Sequence, residues 1–194
     1  MKFDVFLSHS TEDYQLVSRV KDLLDRTRIN AYIYQAFQKH GESLVDMVTN
    51  AMRDSSIVVV FLTKSSVNSP WVNQEIGLAH GLGKTIIPVV EENLPYIGLI
   101  SFKIRLGFSV SDPDTMMYHL LRRLRELLSR CEQENNGLMV KCSHCGELFD
   151  TILPSCENLE QGLDNGLALQ CLCPQCKNDV YVNPFTFDQT GIKL

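Results

Sequence analysis

The run Ile57-Val58-Val59-Val60-Phe61-Leu62 constrains this chain more than any other segment. Its residues are all apolar and mostly β-branched, which favours a strand, and no polar residue alternates with them. A strand of that kind must be covered on both faces, as in a parallel sheet held between two helical layers. The neighbouring segments supply the rest of such a sheet. Residues 3–7, 31–34 and 85–90 read as further short strands, and residues around 102–106 as a weak fifth. Pro88 cannot donate a ladder hydrogen bond and makes the fourth strand the irregular one.

Helices fill the intervals. Leu16, Val17, Val20, Leu23 and Leu24 form one apolar stripe, and Leu120, Leu121, Leu124, Leu127 and Leu128 form another. Ser10-Thr11-Glu12-Asp13 and Ser43-Leu44-Val45-Asp46 both carry a capping-box pattern, a serine followed three residues later by an acid. Ser69-Pro70 sets an N-cap before a proline at the first helical position, and that helix stops in Gly81-Leu82-Gly83. Asp112-Pro113 opens the last long helix. Strand–helix alternation of this kind predicts an α/β fold with an open, doubly wound parallel sheet over residues 1–131. The polar segment 132–137 reads as a linker to a small second domain, residues 138–194.

A hydrophobic content of 44% is enough for a buried core, while the net charge of −5 argues against a general binder of nucleic acid or anionic membrane. No run approaches the roughly 20 apolar residues that span a bilayer. The opening Met1-Lys2-Phe3-Asp4 lacks the layout of a signal peptide, so a cytoplasmic protein with reduced thiols is expected.

Ligands of such sheets bind outside the carboxyl ends of the strands. Ser8, His9 and Ser10 follow the first strand, Tyr34 ends the second, Ser65 and Ser66 follow the third, and Glu91 and Glu92 end the fourth. The helix that begins after Ser69 starts on the same edge. Its Trp71 and Glu75 are i and i+4, stacked on one face. A carboxylate beside an indole plane suits a ribosyl ligand with a flat leaving base. The plainer alternative packs Trp71 in the core and leaves Glu75 in water, although Leu78 and Ala79 give Glu75 no ion-pair partner on its own helix.

These residues match a known pattern. Phe3-Asp4-Val5-Phe6-Leu7-Ser8-His9-Ser10 resembles the opening strand of Toll/interleukin receptor (TIR) domains. Ser69-Pro70-Trp71-Val72-Asn73-Gln74-Glu75-Ile76 resembles their S-x-W-x-x-x-E signature, and Gly83-Lys84-Thr85-Ile86-Ile87-Pro88-Val89 resembles the strand after it, proline included. Many TIR domains consume NAD⁺, whereas many animal receptor and adaptor TIRs only bind other TIRs. The resemblance thus implies an NAD⁺ glycohydrolase or ADP-ribosyl cyclase that cuts the nicotinamide–ribose bond, giving nicotinamide and ADP-ribose or a cyclic ADP-ribose, in antiviral defence signalling. It implies Glu75 as the catalytic carboxylate and Trp71 as the residue that shapes the pocket. Ser8, His9, Ser10 and Tyr34 would line the NAD⁺ site, and the loop 35–42 would gate it and mediate self-association. Tyr34 stands where many relatives carry an acid, and Val72 where a cysteine is frequent. Gly77, Gly81 and Gly83 do not form a G-x-G-x-x-G cradle, so NAD⁺ would be substrate and not redox cofactor. Two other functions compete: a non-catalytic TIR adaptor acting by assembly, and a nucleoside deoxyribosyltransferase, a related fold with a similarly used glutamate.

Cys142-Ser143-His144-Cys145 and Cys173-Pro174-Gln175-Cys176 are two CxxC knuckles. Cys142, Cys145, Cys173 and Cys176 are the expected ligands of a structural Zn²⁺ in a ribbon-like module. His144 and Cys171 are rival ligands; Cys131, Cys156 and Cys171 are otherwise expected as free thiols. Acids outnumber lysines in this segment, which favours a protein-contact role over phosphate binding.

Overall fold

Strand β3, Ser55–Leu62, contains the apolar run, and its residues Val58, Val59, Val60 and Phe61 are fully shielded from solvent. The computed structural model describes residues 3–34, 43–94, 105–130, 137–164, 168–183 and 186–189. Within these, the chain divides into two units, Met1–Asp22 with Ile29–Met116, and Leu23–Arg28 with Met117–Leu194.

In the first unit, β1 (Phe3–Ser8), β2 (Ala31–Ile33), β3, β4 (Thr85–Glu91) and β5 (Leu106–Phe108) form one sheet in the order β2-β1-β3-β4-β5. Every pair is parallel. The chain winds outward in one direction from β1 to β2 and in the other from β3 onward, so the switch point lies between β1 and β3. Pro88 sits opposite Val60, and the short β5 pairs with β4 only from Val89 onward, so the missing N–H interrupts no rung of that ladder.

The helices of the alternation are α1 (Tyr14–Arg26), α2 (Leu44–Arg53), α3 (Pro70–Gly81) and α4 (Pro113–Leu127). Alternate strand residues Phe6, Val58, Val60, Ile86 and Val90 pack with Val48, Ala51 and Met52 of α2 and with Val72, Ile76 and Ala79 of α3. The intervening residues Val5, Leu7, Val59, Phe61 and Val89 point the other way and are equally buried. Burial on both faces is why β3 needs no alternation. No described helix is long and apolar enough to cross a membrane.

Two local expectations change. Ser10 does not cap α1: its hydroxyl donates to Asp13 Oδ2 at 2.6 Å, and a 3-10 turn, Thr11–Asp13, precedes the helix. The buried Asp13 carboxylate is a stronger acceptor than the hydroxyl, so Ser10 gives a proton to it instead of taking a backbone N–H. Leu127, placed on the buried stripe of α4, is 38% exposed. In that last turn Leu124 and Arg125 are the buried side chains, and Arg125 Nη2 donates to the carbonyl of Pro154. Ser43 and Ser69 do cap α2 and α3, accepting from the N–H groups of Asp46 and Val72.

The second unit carries two antiparallel hairpins, β6 (Gly137–Lys141) with β7 (Leu148–Ile152) and β8 (Leu169–Leu172) with β9 (Asp179–Val182), and between them α5 (Cys156–Asp164). Within this unit, ion pairs join Arg28 to Asp150 of β7, Arg26 to Asp188 beyond β9, and Arg122 to Glu160 of α5. The gating loop expected at 35–42 and residues 132–136 of the linker expected at 132–137 lie outside the described residues, and Gly137, the last residue of that linker, instead opens β6.

Met52 is fully buried between α2 and the sheet, whereas Val45 on the same helix is 60% exposed. Met52→Ala is expected to lower the free energy of unfolding by about 2–5 kcal/mol, and Val45→Ala by less than about 1 kcal/mol. Urea denaturation followed by circular dichroism measures both.

Candidate active site and thiol cluster

The site begins where β1 ends. Ser8, its last residue, is 1% exposed. Across the switch point, Ser69 caps α3 and Pro70 opens its first turn. A helix started there carries Trp71 and Glu75 one turn apart on the face toward β1. Ser8 Oγ donates to Glu75 Oε2 at 2.5 Å, joining residues 67 positions apart in the chain. Glu75 is 5% exposed, so the plainer alternative of a solvated helix carboxylate is not what the structure holds.

Burial pushes the Glu75 carboxyl up to about 7, against hydrogen bonds from the side chains of Ser8 and Trp71 that favour the ionised form. Desolvation dominates because few partners replace the lost water. Tyr32, stacked on Phe6, is also pushed up, first by burial and then by Tyr34 and Glu75.

Beside this carboxyl lies a cavity of about 480 Å³, lined by Leu7, His9, Ser10, Thr11, Tyr14, Tyr34, Leu44, Ser69, Trp71 and Glu75. That volume falls within the roughly 300–1,000 Å³ usual for small-molecule sites. Of the residues singled out in sequence, His9, Ser10, Tyr34, Trp71 and Glu75 line it together. Ser8 does not line it but stands behind Glu75. Ser65, Ser66, Glu91 and Glu92 lie on the same strand edge and take no part in the lining. Glu91 is instead lowered from its ordinary value by the N–H and ammonium of Lys64.

Sequence patterns did not point to Tyr14 or Leu44, the first residues of α1 and α2, which also line the cavity. The signal for both was their place at the start of a helix on the ligand edge. Nor did they point to Asp13. Its buried carboxylate accepts from Ser10 and, at 2.9 Å, from Thr63 Oγ1. Thr63 Oγ1 in turn accepts the N–H groups of Ser65 and Ser66. The loop after β1 and the loop after β3 are thereby fixed to one anion.

His9 Nδ1 lies 3.2 Å from the carbonyl of Leu7. A carbonyl only accepts, so Nδ1 carries the proton. Burial pushes the imidazole below its usual value, with the Leu7 bond and the Asp13 charge acting the other way. The ring is therefore neutral at physiological pH, with a lone pair on Nε2.

In the second unit, Cys142, Cys145, Cys173 and Cys176 bring their sulfurs within 4.8 Å of one another. Cys142–Cys176 and Cys145–Cys173 are 3.6 and 3.7 Å apart. Sulfurs placed tetrahedrally at about 2.3 Å from a zinc ion would be about 3.8 Å apart, so this donor set could hold such a metal. The two knuckles are built alike. Cys142 accepts the N–H of Gly146 and donates to Glu147, and Cys173 accepts from Lys177 and donates to Asn178. Gly146 and Lys177 both take positive φ, 80° and 61°, at the matching position. Cys176 is drawn down to about 6, first by the Asn178 N–H and then by the other thiols. Cys145 is pushed up to about 12: the Glu147 N–H lowers it, but desolvation and the neighbouring sulfurs raise it further. A divalent cation would remove that conflict by favouring thiolate at every position.

Cys171 is a free, buried thiol outside this cluster. Cys156, expected as a free thiol, is disulfide-bonded, and Cys131 lies outside the described residues. A bridge depends on close Cα approach, which spacing along the chain does not reveal.

The first unit is thus a doubly wound α/β domain with a buried carboxyl at its switch point. The TIR domain family model matches residues 5–120, and the chain belongs to the TIR domain family. It is 25% identical over 129 residues to the 2′ cyclic ADP-D-ribose synthase AbTIR of Acinetobacter baumannii (strain 1295743), a match covering 61% of this chain and 48% of that protein. The chain therefore spans about half the length of that curated relative. The TIR domain of the Toll-related receptor TRR-2 from Hydra magnipapillata superposes with a TM-score of 0.54 at 16% identity, over 64% of this chain and 99% of that one. A metazoan TIR-STING receptor from C. gigas gives 0.50 at 10% identity, over 92% and 72%. At these identities the two structures speak to the fold alone.

Glu75 binds its proton more tightly in the folded chain, at about 7, than at its ordinary 4.5. Its contribution to stability is full below the lower value and is lost as pH rises through the upper one, a difference on the order of 3 kcal/mol. Glu75→Gln keeps the shape without the charge. Its stability relative to wild type is expected to grow between pH 5 and pH 8, as denaturant melts at both pH values would show.

Proposed function

We propose that this chain is an NAD⁺ glycohydrolase or ADP-ribosyl cyclase, cutting the nicotinamide–ribose bond to give nicotinamide and ADP-ribose or a cyclic ADP-ribose. The observation that carries this reading is Glu75, a carboxyl buried at the switch point yet lining a ligand-sized cavity and oriented by Ser8. The Acinetobacter relative is a 2′ cyclic ADP-D-ribose synthase, which supports it.

The chemistry follows from the geometry. Nicotinamide leaves a pyridinium neutral, so it needs little acid help; the barrier lies in the ribosyl cation left behind. A fixed carboxylate beside the sugar offsets that charge, and it acts strongly because Glu75 itself is shielded from water. The aromatic rings of Trp71 and Tyr34 on the cavity wall offer flat faces to the departing pyridinium. Ser8 keeps the carboxylate in one orientation, and Ser10 and His9 supply polar contacts for the nucleotide.

The same reading gives Cys142, Cys145, Cys173 and Cys176 a structural Zn²⁺ that organises the ribbon-like segment 138–194, with residues 1–131 as the TIR domain. Self-association through TIR domains, a role in antiviral defence signalling and a cytoplasmic setting complete it. Membrane and nucleic-acid binding have no part in it.

Purified protein should release nicotinamide from NAD⁺, and Glu75→Gln should reduce release by at least about a hundredfold while remaining folded. Product chromatography reads both; full activity in the variant would refute the role of Glu75, and no release by the wild type would favour a non-catalytic adaptor. Because the ionised carboxylate does the work, release should rise with pH through about 7. Ser8→Ala removes a bond that favours ionisation and should move that rise to higher pH. Elemental analysis should find one zinc per chain, and Cys145→Ser or a strong chelator should remove it and lower the melting temperature of the second unit.

A further inference from the structure

We infer that His9 is the proton acceptor for the nucleophile that captures the ribosyl cation, with Nε2 taking the proton from water or from a substrate hydroxyl. This rests on the cleavage proposed above and adds a second catalytic residue to it.

Glu75 alone serves poorly for both tasks. Its Oε2 already accepts the Ser8 hydroxyl, and its negative charge is what offsets the ribosyl cation. A carboxylate that took a proton during capture would surrender that charge while the cation still needed it. A neutral base beside the same cavity removes the conflict.

His9 meets the requirement by position and by tautomer. It follows Ser8 directly and lines the cavity that Glu75 lines. Nδ1–H is committed to the Leu7 carbonyl, which holds the ring and leaves the Nε2 lone pair without a hydrogen bond among the described residues. Asp13, in the next turn, is immobilised by Ser10 and Thr63 and favours the imidazolium once it forms. Tyr14, its ring centroid 6.2 Å from that of His9, and Tyr34 and Glu75 are the other titratable groups on the cavity wall.

The step balances. The bond from ribose C1′ to the pyridinium nitrogen breaks, and its electron pair leaves with neutral nicotinamide. A lone pair of the water oxygen forms the new C1′–O bond, the water proton passes to Nε2, and the imidazolium returns it to solvent. In cyclisation a hydroxyl of the same nucleotide replaces water, and the proton takes the same route.

The test compares two nucleophiles on the full chain. Water must lose a proton on capture, whereas 3-acetylpyridine captures the cation through its ring nitrogen and has none to lose. His9→Asn retains an N–H donor for Leu7 but lacks Nε2. At saturating NAD⁺, the ratio of hydrolysis to exchange of nicotinamide for 3-acetylpyridine should fall on the order of a hundredfold in this variant. Hydrolysis and exchange falling together, or their ratio unchanged, would overturn the role. Nitrogen-15 NMR of wild type should show the Nδ1–H tautomer at neutral pH; the Nε2–H tautomer would overturn it whatever the turnover. Nicotinamide release that is lost in Glu75→Gln stands whichever way the His9 results fall, whereas a wild type that neither hydrolyses nor exchanges removes both conclusions.

Discussion

A carboxyl held out of water at the end of a parallel sheet is the constraint around which the first unit is organised. Removing Glu75 from solvent costs free energy, and the hydrogen bonds from Ser8 and Trp71 return only part of it, which is why the proton is held up to about 7. The sheet can bear that cost because both its faces are packed. Val58, Val59, Val60 and Phe61 of β3 have no exposure, and α2 and α3 close over one side. A strained electrostatic arrangement persists where the surroundings leave it no alternative.

The second support is another buried acid. Asp13 draws together hydroxyls from the loops after β1 and β3, and those loops carry His9 and Ser10 on one side and lead to the α3 cap on the other. Asp13 and Glu75 are thus two carboxyls with different tasks. Asp13 is satisfied by two hydroxyl donors and anchors the loops, while Glu75 keeps a wall of the cavity. One acid stabilises the scaffold; the other is available to a ligand.

The second unit is held by a different means. Its hairpins are short and expose Met139, Leu148, Ile152 and Leu172, so apolar burial alone is limited. The ion pairs to Arg26, Arg28 and Arg122 add links to that small core, and four sulfurs converging within 4.8 Å could add a stronger one by holding a metal ion.

Local pattern was enough for the order and type of the elements. The apolar run of β3, the serine caps of α2 and α3, and the Trp71/Glu75 spacing are all written within a few residues, because they rest on backbone periods and first-turn hydrogen bonds. The two CxxC pairs are equally local. What sequence could not contain was any distance between elements. Ser8 turning to Glu75 and not to the cavity, Asp13 receiving Thr63 and Ser10, Tyr14 and Leu44 lining the cavity, and the disulfide at Cys156 each depend on tertiary approach. The residues that could carry chemistry were legible from the chain; the burial that gives Glu75 its raised proton affinity came only from folding, since desolvation is a property of what surrounds a group and not of its neighbours in sequence.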